Sequence, residues 1–395
     1  MAIKQYDLIV KNGHVIDTYA KVNGKRDVAF VGGKVAAVEE SISSDLATET
    51  FDATGCIVSP GLIDLHVHAY WGVSGWGIMP DPVHIAKGVT TAVDAGSSGA
   101  RTFPAFRKFI MEPAQTRLFA LLHLSSMGLI TDNKIGELMD MQWAEVDQAI
   151  ACARKNRDMV VGIKIRMGRQ MAAENDLEVM NRAKEAAEGF GGFIMMHISN
   201  HKTPLAELCS MLRPGDVVTH SFHGFEDGLV EDTGRLREGL LEAQRRGIIF
   251  DVGHGGGGFS FFTAENAMRQ GLWPDNISTD LHTGSVNGPV HDLLTVMSKF
   301  MYLGLSVEDV VHRTTTTAAK ILGKSATLGT LKPGAEGDAA IFKVEDGNFT
   351  FVDRILDWTK VGNTRWYPGK KVEAKQRLTH VKTVKAGAVY KPYMG

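Results

Sequence analysis

His66 and His68 stand two residues apart at the end of the apolar run 61–65. In an extended chain alternate residues share a face, so both imidazoles would reach the same small volume. One divalent cation can accept both there. Two histidines on a polar strand face would explain an isolated pair equally well. Four more candidate ligands change the balance: Lys164, His197, His220 and Asp280 each end a similar apolar run. Lys164 is the unusual member, because an ammonium group is no metal ligand and is unfavourable when buried unpaired. Burial lowers its pKa, and the neutral amine can add to carbon dioxide. The resulting carbamate has two oxygens, enough to bridge two cations roughly 3.5–4 Å apart. A carboxylate partner, or a Schiff-base role, would also account for a lysine at this place.

Such residues need a frame that brings them together. Residues 1–58 read as short strands, Asp7–Val10 and Asp27–Val31, with tight turns at Lys11–Gly13 and Gly32–Gly33. Residues 59–325 alternate apolar runs with helical patterns. Runs at 89–94, 118–123, 160–164, 193–197, 217–220, 248–252 and 277–280 join the HxH run to make eight. Amphipathic stretches, such as Leu177 to Glu188 and Gly234 to Arg246, lie between several of them. Near-continuous apolar strands alternating with helices imply a parallel sheet covered by helices. Eight such units predict an α/β fold, a closed (β/α)8 TIM barrel with its active site at the carboxyl ends of the strands. All six candidate ligands fall at or beside the last position of a run, which places them on one rim. After a helical segment, Ser306 to Gly323, residues 326–395 turn strand-like again, at 337–342 and 381–387. The two ends of the chain are expected to form one small β-sandwich domain beside the barrel.

Composition narrows the partners. With 395 residues, 44% apolar and 22% charged, the chain has ample material for a large core. A formal net charge of −2 gives no electrostatic reason to expect nucleic acid or an anionic membrane. Cys56, Cys152 and Cys209 are far apart and in no CxxC arrangement, which predicts reduced thiols. With no apolar leader and no long apolar window, a cytoplasmic protein is expected, acting on a small molecule, with a homo-oligomer left open.

The run Pro60–His68, the segment Ala318–Gly323 and the return 329–340 together resemble the amidohydrolase superfamily, over nearly the whole chain. Within it the chain is similar to the binuclear dihydroorotase and hydantoinase branch, in particular its bacterial dihydroorotase-like members. The resemblance implies that His66 and His68 bind the more buried metal and that Lys164 is the carboxylated bridging lysine. His197 and His220 would hold the more exposed metal. Asp280 would be both a ligand and the proton shuttle. Two divalent ions, zinc by the softness of the ligands, would then acidify a bridging water that attacks a polarised carbonyl. Asp280 would take the released proton and deliver it to the leaving atom.

Substrate contacts are expected from five residues. Arg166, two after Lys164, would face the same side and grip a carboxylate, or else form a rim salt bridge. His254 opens the glycine run 254–258, and Ser285, with Asn287 and Gly288, follows Asp280 in a loop that should border the pocket. His223 would orient a ligand or touch substrate. Tyr70, with Trp71 and Trp76, would wall the pocket or pack against loops. His84, His123, His201, His282 and His291 are assigned to structure. In dihydroorotases an arginine follows the first-strand pair, where Tyr70 stands here, and this argues against dihydroorotate. The expected reaction is hydrolysis of the amide or ester bond of a small, acetylated amino or α-hydroxy acid. The alternatives are a cyclic amidohydrolase, a purine-type deaminase, or an inactive barrel serving as an assembly subunit.

Overall fold

Apolar residues at alternate positions fold both ends of the chain onto one sheet. The computed structural model describes residues 4–130, 137–355, 360–361, 364–365, 367 and 369–392. Strands β1 (Tyr6–Asp17), β2 (Val22–Val31), β3 (Lys34–Glu39), β4 (Ala47–Asp52) and β5 (Ile57–Pro60) come from the first part of the chain. They are followed by β6 (Leu62–Val67), β7 (Val89–Gly99), β8 (Arg117–His123), β9 (Val160–Arg166), β10 (Phe193–His197), β11 (Val217–Thr219) and β12 (Ile249–Phe250). The last part supplies β13 (Ala339–Val352), β14 (Lys360–Val361), β15 (Thr364–Arg365), β16 (Lys371–Lys385) and β17 (Ala388–Val389). An eight-stranded mixed sheet runs β17-β16-β13-β5-β1-β2-β3, with β4 paired to β1. Leu8, Val10, Val15, Val28 and Phe30 from the N-terminal strands bury one core with Ile341 and Val384.

The second sheet is parallel and seven-stranded, in the order β12-β11-β10-β9-β8-β7-β6. Every residue of β6 and β7 is buried, as strands covered on both faces require. The eighth predicted run forms no strand ladder. It makes single parallel bridges instead, Asn276 to Asp251 on one side and Leu281 to Val67 on the other. The reason is local: Thr279 N–H donates to the Asp64 carboxylate at 3.0 Å rather than to a strand carbonyl. Asp280 next to it has a left-handed backbone, φ +47°.

The helix expected over 177–188 spans Asp176–Phe190. The stretch 234–246 is helical only over Leu240–Arg245, because Gly239 is left-handed (φ +81°) and Leu236 bridges to Val230. The segment 306–323 divides into Val307–Thr314, opened by a Ser306/Asp309 capping box, and Thr316–Ile321.

Two features tie the sheets together. Asp338 Oδ2 accepts from Arg117 Nη1 (2.6 Å) and Lys385 Nζ (2.9 Å), while its carbonyl accepts from Gly61 N–H (2.8 Å). The β13–β16 hairpin also leaves the small sheet. Its far half buries Phe351, Val372, Ala374 and Leu378 in the larger core, and Leu378 N–H donates to Ser298 Oγ on the helix Leu293–Tyr302. Among the described residues, no helix is long and apolar enough to cross a membrane.

Candidate metal centre

The carboxyl ends of β6, β9, β10 and β11 supply five of the six predicted ligands and the bridging run 276–281 supplies Asp280, all on one cavity wall. His66 Nε2 and His68 Nε2 lie 3.3 and 3.1 Å from Asp280 Oδ1. One ligand atom from each of these three buried residues falls within 4.8 Å of the others, a spacing one cation can span. Lys164 Nζ is 3.2 Å from His66 Nε2. The His220 ring centroid lies 4.9 Å from that of His66 and 4.4 Å from that of His197. His220 (φ +59°) and Asp280 (φ +47°) both adopt left-handed backbones. Strain of this kind costs about 1–3 kcal/mol per residue and concentrates at functional sites.

Hydrogen bonds behind the rings decide which nitrogens carry lone pairs. Thr219 Oγ donates to Asp251 Oδ2 at 2.7 Å, so it must accept from His66 Nδ1, 2.8 Å away. His66 Nε2 is therefore unprotonated and faces Asp280 Oδ1. His220 Nδ1 meets only an acceptor, the Gly253 carbonyl at 2.5 Å, so its Nε2 is also a lone pair. His68 Nδ1 pairs with Ser97 Oγ at 2.9 Å, and His197 Nε2 with Ser199 Oγ at 2.7 Å. Apart from the facing ring nitrogens of His66 and His68, Asp280 Oδ1 is buried with no hydrogen-bond donor among the described residues. Lone pairs converging in a buried volume repel unless a cation lies between them, so the donor set fits a divalent metal.

Burial holds the imidazoles of His66 and His197 well below their ordinary pKa, and that of His220 down to about 3. They are neutral and ready to bind metal. Burial alone would raise the Asp280 carboxyl, but positive charge among the facing imidazoles of His66, His282 and His68, which a bound cation would replace, draws it well below the usual carboxylate range. Lys164 is pushed down to about 7, chiefly by burial. Among the described residues, no carboxylate lies within ion-pair distance of it.

These groups line a cavity of about 160 Å³ whose other walls include Trp76, Leu129, Met171, Ile198 and Phe225. Of the five expected substrate residues, Arg166 and His223 are on this wall. Arg166 also forms the rim salt bridge, Nη1 to Glu137 Oε1 at 2.6 Å. His223 Nδ1 accepts from Phe225 N–H, and its buried Nε2 has no protein partner among the described residues.

The other three are not on this wall: Tyr70 takes its packing alternative, and the placement of His254 and Ser285 at the pocket is corrected. Tyr70 packs on Phe106 and donates its hydroxyl to the Thr102 carbonyl. His254 is buried under the glycine run, where its Nε2 accepts from Lys299 Nζ at 2.7 Å. Ser285 Oγ donates to the Asp280 carbonyl at 3.1 Å and so braces the loop from behind, and Asn287 and Gly288 are not on the cavity wall. The glycine run has a steric purpose. A Cβ on Gly255 (φ +52°) would meet Asp280 Oδ2 at 2.3 Å.

Two residues escaped sequence reasoning. His282, assigned to structure, lines the cavity with Nε2 3.8 Å from Asp280 Oδ2 and its ring edge on Trp76. The same two-residue spacing that singled out His66 and His68 would have found it beside Asp280. Glu137 is buried between Arg166 and His123, and no periodicity marks it.

No family model matches the chain. Deacetylase Atu3266 of Agrobacterium fabrum is 35% identical over 329 residues, covering 83% of this chain and 81% of that protein. Two solved structures, described as an adenine deaminase and as a dihydroorotase, superpose with TM-scores of 0.88 and 0.86. Each is 31% identical over 98% of this chain, and the matches cover 100% and 99% of theirs. The chain belongs to the amidohydrolase superfamily. It is a hydrolytic enzyme acting at carbon–nitrogen bonds.

Proposed function

We propose that this amidohydrolase is a binuclear metal-dependent acyl hydrolase. In this reading the seven-stranded sheet and the bridging run 276–281 make a closed (β/α)8 barrel over residues 59–325, and residues 1–58 and 326–395 make a β-sandwich beside it. The observation that carries it is Lys164: buried, with no carboxylate within ion-pair distance among the described residues, its pKa lowered to about 7, and 3.2 Å from His66 Nε2. A neutral Nζ adds to the carbon of carbon dioxide and releases its proton to solvent. The product is a carbamate with one negative charge shared over two oxygens.

His66, His68 and Asp280 would hold one cation and His197 and His220 a second, with carboxylated Lys164 shared between them. Two divalent ions, zinc by the imidazole-rich donor set, would supply an acidified water and a polarised scissile carbonyl. Asp280, ionised and 3.1–3.3 Å from the His66 and His68 ring nitrogens, has the position to take a proton as the tetrahedral centre forms and to return it to the leaving atom. Ser285 holds the backbone of Asp280, and Gly255 leaves room for its carboxylate. The cavity's apolar walls and adjacent arginines suit a small acetylated amino or α-hydroxy acid, in line with the name of the deacetylase relative.

Adenine deaminase and dihydroorotase are the names of equally identical structures, so cyclic ureides and purines belong in the test. The metal-loaded protein is assayed on N-acetyl D- and L-amino acids, acetylated hydroxy acids, cyclic ureides and purines. Acetate release from an acetylated acid is the expected outcome. Turnover of purines or ureides alone would replace this reading.

A further inference from the structure

Two arginines reach the cavity, and their surroundings differ. Arg166 is paired at 2.6 Å with Glu137, whose side chain is 1% exposed. Burial would raise the Glu137 carboxyl, but the Arg166 charge and then His123 hold it below its ordinary value. The Arg166–Glu137 pair therefore adds no net charge to the wall, and a substrate carboxylate drawn to Arg166 would meet Glu137 as well.

Arg169 stands at the mouth of the same cavity with a 59% exposed side chain. The Glu174 carboxylate is 3.9 Å from its Nη1, beyond hydrogen-bond reach, and Glu174 is itself in contact with Lys202. The backbone beneath Arg169 is fixed. Its N–H donates to the Asn200 carbonyl at 3.1 Å. Gly168 (φ +145°) lets the chain pass the Ser199 carbonyl, which a Cβ would meet at 2.4 Å. A guanidinium on an anchored loop, loosely paired, exposed and part of the cavity lining, suits bidentate capture of a planar anion.

We infer that Arg169 is the residue that recognises the substrate's carboxylate, at the mouth of the cavity and on the side of the β9 and β10 loops. Arg166, locked by Glu137, shapes the wall instead. This rests on the acyl-hydrolase reading and names the specificity element of that site.

The experiment uses the metal-loaded protein and the N-acetyl derivatives of alanine, leucine and phenylalanine, each as free acid and as neutral primary amide. Calorimetric binding and acetate release are both followed. The wild type is expected to bind at least one acid roughly tenfold or more tightly than its amide, the scale of one charge-assisted pair. Arg169→Gln, at an exposed position that leaves folding intact, should weaken the acids alone and bring the ratio near one. Arg169→Lys should recover part of it. An acid preference that survives in R169Q, or is missing from the wild type, overturns the assignment. Absence of acetate release with an Arg169-dependent acid preference would fault the acyl-hydrolase reading and leave Arg169 standing.

Discussion

Lys164 Nζ lies 3.2 Å from His66 Nε2, with both side chains buried. Because Thr219 commits the His66 proton to Nδ1, the amine faces a lone pair rather than a carboxylate. The amine can donate to that lone pair, but buried and with no carboxylate within ion-pair distance among the described residues, it is drawn toward the neutral form that adds to carbon dioxide. Lys164→Met should therefore retain about one metal ion per chain instead of two, and lose activity on the order of a thousandfold. Metal analysis and steady-state kinetics on the same preparation check this. Full activity in the variant would remove the bridging role.

Asp280→Asn keeps the shape of the carboxylate and removes its proton-accepting capacity. A fall in kcat of about 10²–10⁴-fold is expected, with a much smaller change in KM. A change confined to KM would make Asp280 a binding group only.

Thr219 tests the layer behind the ligands. Thr219→Val removes the hydroxyl that links His66 Nδ1 to Asp251 while keeping the branched shape. Metal affinity should fall about 10–100-fold with the fold unchanged, read by competition with a chelator. Unaltered affinity would mean that the hydroxyl does not set the tautomer.

Much of this centre was legible in the sequence because continuous apolar runs mark buried parallel strands, and His66, His68, Lys164, His197, His220 and Asp280 end such runs. The eighth run was legible as a position but not as a bridge, since its donors go to the side chain of Asp64, a partner 215 residues away. Tyr70 and His254 lie off the cavity wall for a related reason. Strand alternation stops where the strand does, and beyond it Tyr70 turns toward Phe106 and His254 toward Lys299. Glu137 was invisible because loop carboxylates show their partners only after folding.

The junction between the sheets gives a stability prediction. Burial would raise the Asp338 carboxyl, but Lys385 and Arg117 outweigh it and hold the group below its ordinary value of 3.8. A depressed carboxylate contributes stability that is present above that value and lost as pH falls through the folded one. Asp338→Asn should cost about 2–3 kcal/mol at neutral pH, given that both cations are partly exposed. Its unfolding free energy should also fall less steeply than that of the wild type below about pH 4. Denaturant titrations at neutral and acid pH separate the two effects, and parallel curves would exclude the linkage.

The most direct test of the binuclear centre combines metal analysis with intact mass measurement of the native protein, prepared in bicarbonate with zinc supplied. The expected result is about two metal ions per chain and a mass increment of one carbon dioxide, lost on mild acidification and absent from Lys164→Met. An active protein holding a single metal ion, with Lys164 unmodified, would contradict the account.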